Sequence, residues 1–342
     1  MCLAWNYDIK YALATLTTGG DMDTNIGFVN FFEGNTPVLL EMPHSGFKGI
    51  ETTHSVPGVI KSRIRFHSDE VRRTIGFGCD AAVPEMSGFF ELTAKLNLSG
   101  IYNDLARVYC DTNRGRSEVS GLAVEGYDTD KYHSGVIWGR TIPSEVDLTL
   151  SPEQLEEVVK RQCEKTLNTP LTGSEFEILL RKVYDPYHEA VTKLHRMAIE
   201  RHGYCVHLAL HSLPPVAVTS VNGGYVCGKK AKRGAFEQAE NTLPDVILIH
   251  NNFKAADIFF IERIRHVFQS AGLIVDDGEG PFAGNNGVTK LYGNPEKRVN
   301  VIGIEHVTHD IEPKRHLGNP EVNFKKARML RTVYEQAVRS IL

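Results

Sequence analysis

The sequence lacks the cysteine patterns that mark disulfide-bonded or cysteine-rich zinc proteins. Its 342 residues include six cysteines and no Cys-x-x-Cys pair. The cysteines are scattered along the chain, at Cys2, Cys79, Cys110, Cys163, Cys205 and Cys227. This spacing argues against a disulfide framework and favours buried thiols in a reducing compartment. We therefore predict a cytoplasmic protein.

The chain also has no excess of basic residues and no long apolar run. Its 38 Lys and Arg residues are outnumbered by 42 Asp and Glu residues, so the formal net charge is -4. Binding to nucleic acid needs cationic groups that neutralise phosphates, so this composition predicts no nucleic-acid partner. The sequence has no run of about 18 apolar residues and no basic N-terminal segment followed by an apolar one, so we expect neither a membrane span nor a secretory signal.

What the sequence does contain is an alternation of strand-like and helix-like segments. Short apolar runs predict buried strands, at residues 38–42, 81–86, 106–111, 204–210, 245–250 and 300–306. Segments with helical spacing lie between several of them, and the longest spans about 174–201. This alternation predicts an α/β protein with a mostly parallel sheet. The runs 29–32 and 38–42 flank a turn-like tetrapeptide, which predicts a hairpin and makes the sheet mixed.

The chain is predicted to fold as one domain after a short arm. Residues 1–26 have mixed polarity and a Gly-Gly-Asp break, which indicates an N-terminal arm. Residues 27–342 contain no internal repeat and no composition change that marks a domain boundary. Residues 115–150 are rich in Gly, Ser, Asp and Tyr, which is typical of a long functional loop or an insertion.

Two predicted strands end in the same dipeptide, His-Ser. Pro43 closes the first apolar run and His44 follows it, and His211 follows the run that ends at Leu210. Two neutral imidazoles and one carboxylate can hold a zinc ion and leave a fourth position open for water. The third ligand stays open at this point, because several acids follow His44 in the chain. The candidates are Glu51, Asp69 and Glu70.

A polar cluster and one strand acid add further candidates. Arg107, Asp111, Asn113 and Arg114 lie close together at the end of a predicted strand. A guanidinium fork can bind the carboxylate of an anionic substrate, and an ion pair that fixes the loop is an equally good explanation. Glu305 lies among apolar residues in a strand, where an unpaired carboxylate is costly. It therefore either pairs with a buried cation or faces the site as a general base with a raised pKa.

The order and spacing of these motifs resemble the N-formylglutamate amidohydrolase family. The motifs lie between about residues 37 and 310: Pro43-His44-Ser45-Gly46, Asp69, Arg107, Asp111-Thr112-Asn113-Arg114, Tyr187-His188, His211-Ser212, Leu243-Pro244-Asp245, Pro281-Phe282-x-Gly284 and Glu305. That family is similar in fold to zinc carboxypeptidases and aspartoacylase. The resemblance therefore implies a three-layer α/β fold of the phosphorylase/hydrolase type, with helices on both faces of a mixed, mostly parallel sheet.

The resemblance also implies a reaction and a metal. One zinc ion would be held by His44, Asp69 and His211. The enzyme would hydrolyse the amide of a small anionic N-acyl amino acid, typically N-formylglutamate, to formate and the free amino acid.

Further roles carried over from the family concern the catalytic base and substrate binding. Glu305 would be the base. Asn113 and Arg114 would bind the substrate carboxylate. Arg107 would serve the acyl oxygen or brace its loop.

The chain departs from the family pattern in three ways. Family members usually have an acid two residues before the second histidine, where this chain has Ala209. The arm before residue 27 and an insertion over about 115–172 look longer than the family norm. Ala209 alters the support behind His211, and the arm and insertion bear on substrate identity more than on reaction class. Two other hypotheses stay open: a zinc peptidase or amidase acting on a peptide or cell-wall fragment, and a non-catalytic anion-binding protein of the same fold.

Overall fold

The computed structural model describes residues 27–46, 57–64, 80, 83–128, 135–140, 165–213, 225–226, 229–230, 244–277, 287–307 and 324–342. The predicted arm over 1–26 and the candidate ligands Glu51, Asp69 and Glu70 lie outside these residues. The insertion over 115–172 lies partly within them, and the division into arm, domain and insertion stays a prediction.

Nine strands lie within this part of the chain, and seven of them form one sheet. The strands are β1 (Val29–Phe32), β2 (Val38–Met42), β3 (Ser99–Asn103), β4 (Cys205–Leu213), β5 (Tyr225–Val226), β6 (Lys229–Lys230), β7 (Val246–Ile249), β8 (Val275–Asp277) and β9 (Val299–Val307). The sheet order is β1-β3-β2-β4-β9-β7-β8, and β5 pairs with β6 separately. Strands β3, β2, β4 and β9 are parallel, whereas β1 and β7 run antiparallel to β3 and β9. The predicted mixed, mostly parallel sheet is confirmed.

Helices cover both faces of this sheet. They are α1 (Gly58–Lys61), α2 (Val83–Ser87), α3 (Phe89–Leu96), α4 (Gly173–Leu179), α5 (Asp185–His202), α6 (Ile258–Ser270), α7 (Val288–Tyr292) and α8 (Phe324–Ile341). Successive side chains of a strand point to opposite faces, so a central strand contributes to the core on both sides of the sheet. In β2, Leu40 packs in a cluster with α2, α3, α6 and α8, and Leu39 packs in another with α5. None of the described helices is long and apolar enough to cross a bilayer.

The long helical segment predicted before β4 is confirmed, with one irregular turn inside it. Thr172 caps α4: its hydroxyl accepts from the N–H of Glu175, and the Glu175 carboxylate accepts from the N–H of Thr172. A π-helical turn over Leu180–Tyr184 joins α4 to α5. Pro186 follows this turn and has no N–H to donate to the carbonyl four residues earlier, which accounts for the wider turn. Gly203 ends α5 in the left-handed conformation, with φ 84°.

The predicted hairpin of β1 and β2 is wrong, because β3 lies between these two strands. The connection from β1 to β2 crosses the start of β3, where the N–H of Asn35 donates to the carbonyl of Asn97 (2.8 Å). Gly34 permits this crossing, since a Cβ there would lie 2.1 Å from the backbone carbon of Leu98. Turn residues between two strands do not show whether the strands pair with each other in a hairpin or are separated in the sheet by another strand.

Two other predicted strands are also wrong. The segment predicted as a strand over 81–86 includes most of helix α2, and residues 106–111 form turns. The strand of this region is β3, whose sequence Ser-Gly-Ile-Tyr-Asn has only two strand-favouring residues, Ile101 and Tyr102. All five of its residues are buried, so tertiary packing decides the conformation. The apolar character of 106–111 has a different cause, because these residues belong to a separate core cluster that includes Trp138.

Gly46 lies where the chain after His44 passes the backbone that follows β3. A Cβ at Gly46 would lie 2.4 Å from the carbonyl oxygen of Asn103 and 2.3 Å from the carbonyl carbon of Asp104. These backbone atoms cannot swing aside, so we expect Gly46→Ala to lower the free energy of unfolding by about 1–3 kcal/mol. Urea denaturation measures this, with Gly58→Ala as control because an added Cβ there meets nothing within 4 Å. A wild-type denaturation midpoint for Gly46→Ala would contradict the close approach.

Candidate metal centre and active site

Three parallel strands bring polar side chains to one edge of the sheet. His44 follows the end of β2, and His211 lies near the C-terminal end of β4. Strand β9 pairs with β4 so that Glu305 stands directly opposite His211. The ends of neighbouring parallel strands meet at one edge, which explains why histidines so distant in sequence come together. Both histidines are buried (2% and 4% exposed), and their ring centroids lie 4.9 Å apart.

Asp80 completes a group of three donor atoms with the two histidines. The Nδ1 atoms of His44 and His211 lie 3.2 Å apart. Asp80 Oδ2 lies 3.4 Å from Nδ1 of His44 and 3.1 Å from Nδ1 of His211. The backbone fixes Asp80 in this place, because its N–H donates to the carbonyl of His44 (3.0 Å) and its carbonyl accepts from Val83 at the start of α2 (3.2 Å).

This donor set fits a divalent cation such as zinc. Two imidazole nitrogens and one carboxylate oxygen are ligands that catalytic zinc takes in proteins. Tetrahedral bonds of about 2.0–2.2 Å place neighbouring ligand atoms roughly 3.3–3.6 Å apart. The three separations observed are 3.1, 3.2 and 3.4 Å, so little movement would be needed. His44, Asp80 and His211 can therefore hold a metal ion.

The electrostatics of the group favour positive charge at its centre. Burial raises the pKa of Asp80, but the hydrogen bonds with His211 and His44 outweigh burial and hold the pKa well below its usual value. Burial lowers the pKa of His211, but the charge of Glu305 and the contact with Asp80 outweigh it and raise the pKa. A site that favours a proton on His211 also favours a cation in its place.

Asp111 supports His44 on the side of the ring away from the donor group. Its Oδ1 lies 2.9 Å from Nε2 of His44. A proton on Nε2 leaves the lone pair of Nδ1 for a cation, so this contact selects the tautomer that a ligand needs. Burial raises the pKa of Asp111, but the charges of Arg107 and His44 outweigh it and hold the pKa well below its usual value. Asp111 therefore stays ionised and accepts hydrogen bonds.

Arg107 holds Asp111 in position. Its Nε and Nη2 both donate to Oδ2 of Asp111, at 3.0 and 2.8 Å. The indole N–H of Trp138 donates to the same oxygen (3.1 Å), and the guanidinium carbon of Arg107 lies 5.0 Å from the Trp138 ring centroid. The Asp111–Arg ion pair considered from the sequence is thus present. A contact of Arg107 with the acyl oxygen stays a prediction.

Asn113 and Arg114 continue the same loop beyond Asp111. The backbone N–H of Asn113 donates to Asp111 Oδ1 (3.0 Å), and its side-chain Oδ1 accepts from the N–H of Val288 at the start of α7 (2.7 Å). A carboxylate ligand needs donors, so Nδ2 is the atom of Asn113 that can serve it. Arg114 Nη1 donates to the Asn113 carbonyl (3.1 Å), and the side chain is 22% exposed. The predicted substrate-binding role of both residues stays a prediction.

Glu305 has the proton affinity that a general base needs. Burial raises its pKa to about 7, although the charge of His211 acts in the opposite direction. A carboxylate with a pKa near neutrality can accept a proton and return it at ordinary pH. The residue as a whole is half-buried.

Asp80 is the candidate ligand that sequence reasoning missed. Residues 81–86 predict a strand, which would have made Asp80 an ordinary loop acid. In the structure its carbonyl accepts from the N–H of Val83, the first residue of α2, and an acid near the start of a helix is a signal that fits capping as well as ligation. The three acids weighed from the sequence all lie in segments outside the described residues, so the structure does not place them relative to His44.

The fold and this edge of the sheet define a class of protein: a three-layer α/β protein with a buried His-Asp-His group that can hold a metal ion. The sequence profile of the N-formylglutamate amidohydrolase family matches residues 36–309. The chain belongs to this family, which makes it an amidohydrolase, and the resemblance described from the motifs is confirmed.

A solved structure of this family agrees with the fold. The chain is similar to the N-formylglutamate amidohydrolase from Ralstonia eutropha JMP134, with a TM-score of 0.64 and 19% sequence identity over 92% of this chain and 96% of that chain. It is also similar to a gene product of Agrobacterium tumefaciens, with a TM-score of 0.49 and 16% identity over 92% of this chain and 96% of that chain. No curated protein sequence is significantly similar to the chain.

Proposed function

We propose that the chain is a zinc-dependent amidohydrolase that cleaves N-formylglutamate to formate and glutamate. The observation that carries the proposal is the convergence of His44, Asp80 and His211 in a chain of an amidohydrolase family. Zinc held by these three residues would polarise the amide carbonyl and make water a better nucleophile.

Glu305 carries out the proton transfers. Its carboxylate accepts a proton as water attacks the formyl carbon, and it gives that proton to the amide nitrogen as the C–N bond breaks. The nitrogen leaves as the amine of glutamate, and the formyl group leaves as formate. The pKa of about 7 suits both transfers, because neither protonation state of Glu305 is strongly favoured near neutral pH.

The loop that carries Asp111, Asn113 and Arg114 binds and orients the substrate. Arg114 and Nδ2 of Asn113 bind a substrate carboxylate through charge-assisted hydrogen bonds. Arg107 stays paired with Asp111, so its main contribution is a rigid loop that keeps both His44 and the substrate-binding groups in place. This positioning accounts for a preference for anionic N-acyl amino acids.

Formate release by the purified full chain tests the proposal. We expect N-formylglutamate to yield formate with a kcat/KM well above that of N-formylglutamine, because the second substrate lacks the side-chain charge. A chelator should abolish the activity and added Zn²⁺ should restore it. N-acetylglutamate and dipeptides, assayed in parallel, report the preference for the acyl group.

Two results would contradict the proposal. Zn²⁺-loaded, folded protein that releases no formate but cleaves a dipeptide or a cell-wall fragment would support the peptidase hypothesis. Protein that binds N-formylglutamate without cleaving any of these substrates would be an anion-binding protein of the same fold.

A further inference from the structure

A second polar cluster is buried against the same sheet face and has no part in the proposed mechanism. Glu41 of β2 is fully buried, and its Oε2 lies 2.9 Å from Nε2 of His207 on β4. Its Oε1 accepts from the hydroxyl of Tyr187 on α5 (2.7 Å). Nδ1 of His207 lies 3.0 Å from Nε2 of His195, also on α5. The cluster therefore joins β2, β4 and α5 through polar contacts in the core.

Glu41 faces the same side of the sheet as the candidate metal ligand on β4. Its register partner on β4 is Ala209, two residues before His211. Residues two apart on a strand share a face, so His207, Ala209 and His211 all point to the side that Glu41 occupies. Ala209 contributes only a methyl group to this face, whereas Glu41 beside it contributes a carboxylate.

A buried anion on this face favours a cation bound beside it. Burial raises the pKa of Glu41, but the charge of His207, its hydrogen bond and the hydrogen bond from Tyr187 outweigh burial and lower the pKa, so the carboxylate is ionised. Glu41 is three residues before His44 on the strand that leads to it, and its register partner Ala209 is two residues before His211. Electrostatic attraction is weakly screened in a protein interior, so this carboxylate favours a cation held between His44 and His211.

We propose that Glu41 is a positioning residue of the metal centre: its buried carboxylate stabilises the bound cation from the same side of the sheet, and its hydrogen bonds hold β2, β4 and α5 together beside the ligands. The inference rests on the proposed metal-dependent hydrolysis. Stability alone does not explain why the polar cluster around Glu41 occupies this part of the core, because a buried ion pair is seldom better for stability than apolar side chains of the same size. A role in metal binding does explain it.

The affinity of the full chain for Zn²⁺ tests this proposal. Competition with a chromophoric chelator measures the dissociation constant, and thermal unfolding of the metal-free protein measures stability separately. We expect Glu41→Gln to weaken Zn²⁺ binding by about 10- to 100-fold, as is usual when support behind a metal ligand is lost. Tyr187→Phe is the matched control: it removes one hydrogen bond but keeps the carboxylate and its pairing with His207. Its effect on Zn²⁺ affinity should be below tenfold.

A second variant keeps the test decisive if Glu41→Gln does not fold. Glu41→Ala combined with Ala209→Asp returns a carboxylate to the same face from the register-paired position, and it should bind Zn²⁺ more tightly than Glu41→Ala with Ala209→Asn. Equal affinities of these two double variants, or wild-type affinity in Glu41→Gln, would overturn the inference and leave Glu41 a purely structural residue. Wild-type protein that binds no Zn²⁺ would instead defeat the proposed function itself.

Discussion

Asp80→Asn is expected to abolish tight zinc binding and to lower the rate of amide hydrolysis by about 10³-fold or more. The substitution keeps the shape of the side chain but removes the charge between the two histidines. Oδ2 of Asp80 lies 3.1 Å from Nδ1 of His211 and 3.4 Å from Nδ1 of His44, so no other described acid reaches the same point. Metal content after dialysis and formate release from N-formylglutamate together measure the effect.

The same substitution at Asp69 separates two assignments of the third ligand. The motif resemblance implies Asp69, which lies outside the described residues, whereas the geometry points to Asp80. We expect Asp69→Asn to keep its zinc, since the donor group is already complete without it. Zinc retained in Asp80→Asn and lost in Asp69→Asn would reverse the assignment, and Asp80 would then be a hydrogen-bond partner of the histidines only.

Strong apolar runs made much of the fold predictable. β2, β4, β7 and β9 each have a neighbouring strand on both sides and contain an apolar run, and the predicted runs lie within a few residues of the observed strands. β3 was not, because Gly100 and two polar residues leave it without a strand-like pattern, and only burial between β1 and β2 explains its conformation. The hairpin error has the same cause, since the inserted strand comes from a distant part of the sequence.

The candidate site also contains residues that the sequence could predict and residues that it could not. An apolar run precedes each of three site residues, His44, His211 and Glu305. Because parallel strands end at the same edge of a sheet, this pattern is enough to suggest that the three side chains lie close together. Asp80 has no such signal, because its place depends on a backbone hydrogen bond to His44 and on the start of α2. Asp111 was visible as part of a polar cluster, but only the structure shows that its two oxygens divide between His44 and Arg107.

Glu305→Gln is expected to lower kcat by about 10²- to 10⁴-fold while leaving zinc bound and KM little changed. Glutamine has nearly the same volume and can occupy the same place opposite His211 on β9, but it cannot accept a proton from water. The loss should therefore fall on the chemical step and not on substrate binding. Steady-state kinetics of formate release, with zinc content measured on the same samples, separates the two effects.

Glu335→Gln on α8 is the matched control, because this half-buried acid pairs with Lys95 and Arg339, which belong to neither the donor group nor the Asp111 cluster. It undergoes the same chemical change as Glu305→Gln, and we expect its kcat to stay near that of wild type. Wild-type kcat in zinc-loaded Glu305→Gln would mean that another group moves the proton, and the raised pKa of Glu305 would then reflect burial alone. Loss of zinc from Glu305→Gln would instead assign Glu305 to the support of His211, its neighbour across the β4–β9 pair.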